Sequence, residues 1–212
     1  MAERLGLLHA MGGAWQGTVT AGGIGAAYYH LEGGILPESS VDVAGGIDML
    51  SVARGAIEGT VSAAGHVGQV RALGGVVKDG EGAANGEIYA GGGMNYLYSG
   101  GTLSGAVEVE NGDLDRVVIS NRGGVALDGS AAESPLIDVK DGKLSRLTVS
   151  GDVADASLCG RQLGTVSVRG QIRAGQQEQI VAEQGSYLIS DNSTGGMIQI
   201  TEEEDTWHRF ND

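Results

Sequence analysis

The chain has 212 residues, of which 39 are glycine, only two are proline and 4% are aromatic. Such a glycine share marks either a low-complexity chain or a periodic one, and the order of the glycines decides which. A formal net charge of −14 opposes nucleic acid or anionic membrane as a partner, and the single Cys159 excludes a disulfide framework. No apolar run reaches the roughly 18 residues of a membrane-spanning helix.

Residues 1–20 hold Leu5, Leu7, Leu8 and Trp15 and are expected to cap the end of whatever follows. A repeat then emerges. Its units are Ile47/Leu50/Val52, Ile57/Val61/Ala63 and Val67/Val70/Ala72, followed by Leu103/Val107/Val109 and Leu114/Val117/Ile119. They resume as Leu144/Leu147/Val149, Val153/Ala156/Leu158 and Leu163/Val166/Val168. The local period is about ten residues, the mark of a repeat architecture.

Within each unit two apolar residues stand two apart, which places both on one face of an extended chain. The residues between them, Ser51, Ser62, Arg71, Glu108, Val118, Thr148, Ser157 and Ser167, are nearly all polar and are expected to face outward. Valine and isoleucine dominate the inward positions, as a half-buried strand prefers. Glycine closes most units, and Asn111-Gly112 and Asp141-Gly142 have the composition of tight turns needing φ > 0. Antiparallel turns would make a meander or barrel. Turns that bend the chain around a coil, two units per rung of about twenty residues, would make a parallel β-helix. The scarcity of aromatics favours the coil, because a thin interior is filled by stacked small aliphatic residues. The expected architecture is a single all-β parallel β-helix over residues 21–185, with C-terminal strands and a tail over 186–212.

The stretch from Gly91-Gly92-Gly93-Met94 through Tyr96-Leu97-Tyr98-Ser99-Gly100-Gly101 to Asn111-Gly112 resembles the repeat of AIDA-type autotransporter adhesins. The likeness is closest over 45–125 and loosely spans 13–175. It implies a right-handed β-helical passenger that mediates adhesion or self-association and contacts a glycan or protein on a host or bacterial surface. It also implies outward serines or threonines open to a glycosyltransferase. The opening Met1-Ala2-Glu3-Arg4, with only a few apolar residues before His9 and Gly12, is not expected to serve as a signal peptide. The expected setting is therefore extracellular if it belongs to a larger secreted chain, and cytoplasmic if it stands alone.

Candidate chemistry was sought in three acidic pairs, Asp113/Asp115, Asp138/Asp141 and Asp152/Asp155, since general acid–base work needs converging carboxylates. All lie near glycine, where an Asp ordinarily solvates a corner. Asn111, Asp113 and Asp115 alternate like calcium ligands, but the Gly-Gly-x-Gly-x-Asp repeat is missing. His9, His30, His66 and His208 lack metal-ligand spacing, and Cys159 reads as a small corner residue. No catalytic residue, metal or cofactor is expected, no nucleic-acid partner and no membrane insertion. The candidate contacts are Tyr96 and Tyr98, an outward aromatic pair if Leu97 is core and bulky interior residues otherwise, with Tyr89 one unit earlier. Trp207, Arg209 and Phe210 follow the acidic run Glu202–Asp205, either as part of a charged cap or as anchors of a docking peptide. The leading expectation is a non-catalytic adhesion or self-association module. The alternatives are a filament or phage-fibre segment and a polysaccharide-active enzyme.

Overall fold

The computed structural model describes residues 7–11, 13–21, 28–77, 86–129, 136–154, 157–171, 178–184, 189–190, 197–201 and 205–209. The strands are β1 (Leu7–Ala10), β2 (Thr18–Ala21), β3 (Tyr28–Leu31), β4 (Ser40–Val43), β5 (Ile47–Val52) and β6 (Thr60–Ala63). They continue as β7 (Val67–Ala72), β8 (Glu87–Ala90), β9 (Met94–Ser99), β10 (Ala106–Val109), β11 (Leu114–Asp128) and β12 (Ile137–Ala154). The last are β13 (Ser157–Val168), β14 (Glu178–Gln184), β15 (Ile189–Ser190), β16 (Met197–Thr201) and β17 (Asp205–Arg209). No helix occurs among the described residues.

Each strand from β1 to β16 pairs in parallel with the strand one coil away, so the molecule is a parallel β-helix. One face stacks β1, β3, β5, β7 and β9, then the Leu114–Ser120 part of β11, the Leu144–Val149 part of β12, the C-terminal part of β13, and β15. A second stacks β2, β4, β6, β8, β10, the starts of β12 and β13, then β14 and β16. Between them runs a third side of one bridging residue per coil: Trp15, Ile35, Ile57, Val76, Leu103 and Leu127. The described residues thus form nine coils, and those with a bridging residue have three sides where two were expected. The ten-residue units beginning at Ile57 and Leu103 begin on the third side and end on the second face. This explains their wider spacing of four then two.

The inward residues form straight columns, for instance Leu50, Val70, Leu97, Val117, Leu147 and Val166 on the first face. All six are buried. Ser99 also lies inside, in the column between Ala72 and Ile119, where its hydroxyl donates to the Gly101 carbonyl at 3.0 Å. On the second face of the later coils Leu158 and Gly160 point inward, opposite Ile137 and Val139; of the expected pair Ala156 and Leu158, Leu158 is inward and Ala156 lies outside the described residues.

The glycines serve the coil in two ways. Gly112 turns with φ +105°, as its Asn-Gly dipeptide predicts. Gly142 is not left-handed. It is buried in β12, and a Cβ there would run into the carbonyl of Gly112 in the coil below. Corner glycines stacked on one another in this manner let successive turns lie at strand spacing.

The coil extends into both stretches expected as caps. β1 and β2 already pair in register with β3 and β4, and β15 and β16 continue the two faces. β17 alone turns back, antiparallel to β16.

Candidate functional site

The six-residue strands of the first face place residues inward at positions one, four and six, as in Met94, Leu97 and Ser99. Their other side chains point out. Leu97 is fully buried, so Tyr96 and Tyr98 form the outward pair. In the parallel register Tyr98 stands between Arg71 and Val118, and Tyr96 between Gln69 and Arg116. The Arg71 guanidinium lies 5.7 Å from the Tyr98 ring centre, and that of Arg116 lies 5.7 Å from the ring of Tyr96. These are cation–π distances. One coil further, the pairing of Leu114 with Leu144 and Val117 with Leu147 sets Arg116 opposite Arg146. Arg71, Arg116 and Arg146 are all exposed. The result is a Tyr–Arg strip across four coils.

Tyr89 does not join it. It lies on β8, on the second face, stacked between Ser62 and Glu108. That face is acidic: Asp42, Glu87, Glu108, Glu110 and Asp138 project from it or from its edge. Lys140 clasps Glu108 at 2.6 Å and Glu110 at 2.8 Å. The Lys140 ammonium therefore holds the Glu110 carboxyl below the usual carboxylate range, and the two glutamates in turn raise the lysine. Asp138 is a strand residue, not a corner one. It lies between Glu108 and Cys159, and burial pushes its carboxyl up. Cys159 likewise points outward from β13, half-buried.

The other acidic candidates do the work of corners. Asp113 accepts the Lys143 backbone N–H at 2.9 Å, and Asp152 accepts that of Gln171 at 3.0 Å, each tying one coil to the next. Asp115 is an exposed outward residue on β11, and Asp155 lies outside the described residues. A cleft of about 310 Å³ opens between Arg122, Ser150, Gly151, Asp152, Arg169 and Gly170. Among the described residues Asp152 is its one carboxylate, and these offer no acid–base pair. Among the described residues no group of three His, Cys, Asp or Glu is placed to hold a metal.

Trp207 and Arg209 lie in β17, opposite Gln199 and Met197. Their side chains, and Phe210 altogether, lie outside the described residues, so the structure does not join them to Tyr96 and Tyr98. Comparison with known proteins yields no matching family model, curated protein or solved structure. The arginine half of the strip was missed in the sequence, although Arg71 was read as outward. Arg116 and Arg146 become its neighbours only through coils of 20 and 30 residues.

Proposed function

We propose that this protein is a non-catalytic binding rod whose Tyr–Arg strip is its contact face, acting in adhesion or self-association at a cell surface. The observation that carries this reading is the outward pairing of Tyr96 and Tyr98 with Arg71 and Arg116 on an otherwise closed, backbone-paired face. Aromatic and arginine side chains are the types that dominate contact energy at interfaces. Here the ladder holds both in place, so little side-chain freedom is lost on binding. The glycine-and-valine repeat that resembles AIDA-type adhesins points the same way, as does the resemblance's implication of a secreted setting. An enzyme acting on polysaccharide has less support, since Asp113 and Asp152 are engaged with neighbouring backbone. End-to-end filaments are also less favoured, because β17 pairs along β16 where a further coil would add.

The test is the double variant Tyr96→Ala/Tyr98→Ala, compared with wild type on an array of neutral and acidic glycans and in a cell-aggregation assay. Binding is expected to fall at least about tenfold, equivalent to about 1.4 kcal/mol, with an unchanged circular dichroism spectrum. Equal binding by the folded variant rejects the strip as the contact face.

A further inference from the structure

The strip gathers three arginines, more positive charge than the bordering Asp48 and Asp115 offset. Lys140 pairs with Glu108 and Glu110 on the second face, away from the strip. On the first face Arg71 and Arg116 rest on tyrosine rings, while register sets Arg116 against Arg146, one strand spacing away. Like charges directly opposite across strands are destabilising. A chain of net charge −14 with only 13 lysines and arginines nevertheless gathers three of them here.

We propose that the Tyr–Arg strip binds a linear polysaccharide bearing carboxylates, that is, a uronic-acid polymer. This rests on the reading of the strip as the contact face and names its ligand class. Guanidinium groups match carboxylates in a two-pronged geometry, and stacking on Tyr98 and Tyr96 orients two of them in advance. Arg71 and Arg146 lie three coils apart, about 14 Å at the spacing of paired strands. The rise of one coil is close to the length that one pyranose adds to an extended glycan, so successive sugars meet successive coils. Gln69, Thr148 and the tyrosine hydroxyls supply hydrogen-bonding partners for sugar hydroxyls along the same outward columns.

The charge pattern selects against denser polyanions. Asp48 and Asp115 border the arginines, and the second face carries Asp42, Glu87, Glu108, Glu110 and Asp138 alongside Lys140. Duplex DNA, with a charge about every 1.7 Å of its axis, would meet these carboxylates as well as the arginines. A glycan with one charge per sugar matches three spaced guanidiniums and little else.

The experiment titrates the full chain with oligogalacturonate at low salt, beside the fully methyl-esterified oligomer and an oligothymidylate. Oligogalacturonate is expected to bind, the ester at least about tenfold more weakly, and oligothymidylate more weakly still. Arg116→Gln and Arg146→Gln should each lose about tenfold or more. Both should melt at or above the wild-type temperature, because each removes one of two facing positive charges. No binding of oligogalacturonate, binding unaffected by the arginine variants, or tighter binding of oligothymidylate each overturns the proposal. If ester and acid bind equally and both depend on Tyr96 and Tyr98, the ligand class is wrong while the contact face stands. If no probe depends on the strip, both readings fall.

Discussion

Asp138 shows how an outward column sets the ionisation of a single residue. Its carboxyl is half-buried between Glu108 and Cys159, and loss of hydration is the largest influence on it, ahead of the attraction of Lys140. Glu108 and Glu110 add repulsion, while a hydrogen bond from the Cys159 thiol offsets part of the rise. A carboxyl whose folded pKa lies above its unfolded value binds its proton more tightly in the native state. Its ionisation therefore destabilises the fold as pH rises through the interval between the two values, and the full cost is present above the folded one. Asp138→Asn is expected to raise the unfolding free energy at neutral pH, and with it the urea midpoint, by an amount that solvent screening keeps below about 1 kcal/mol. The gain should vanish in acid below the ordinary Asp range. Urea titrations of variant and wild type across pH check this, and an equal gain at all pH values would assign the effect to packing instead.

At the scale of the element, the coil depends on how closely its corners stack. A methyl group on Gly142 would overlap the Gly112 backbone, which belongs to the neighbouring corner and cannot swing aside as a side chain can. Gly142→Ala is expected to destabilise by about 1–3 kcal/mol, in the range of overpacked interiors. Gly13 offers the control, because among the described residues nothing lies within 4 Å of a Cβ placed there. Gly13→Ala should be neutral or slightly stabilising, by less than about 1 kcal/mol. Thermal melts of the two variants separate close approach from a general preference for glycine. Similar losses at both sites would mean that chain flexibility, not corner stacking, is what glycine supplies.

For the whole molecule, nine coils at about 4.8 Å spacing make a column roughly 40 Å tall. Its charges are unevenly shared: the arginines of the strip lie on the first face, and Asp42, Glu87, Glu108 and Asp138 on the second. Self-repulsion within a chain of net charge −14 weakens the folded state and is screened by salt. Raising the salt from about 0.01 M, where the Debye length is about 30 Å, to about 1 M, where it is about 3 Å, should raise the melting temperature. The same change should weaken polyanion binding at the strip. A melting temperature that falls with salt would show that Lys140 with its two glutamates outweighs the net repulsion.

Apolar spacing in the sequence determined that this chain is built of short strands, because inward positions recur at strand period, and the scarcity of aromatics favoured a parallel coil over a barrel, because stacked aliphatics fill a thin core. It also determined the outward direction of Tyr96 and Tyr98 once Leu97 is taken as core. Only the tertiary structure decided that a third side runs between the two faces, that Gly160 follows Leu158 on the inward side, and that Gly142 is glycine for lack of room. Local spacing records one strand's own pleat, whereas these features depend on what lies one coil above or below. Coil lengths of 20 to 30 residues hide that relation from a reading along the chain. The same reason separated Tyr96 from Arg116 in sequence and brought them to 5.7 Å in space.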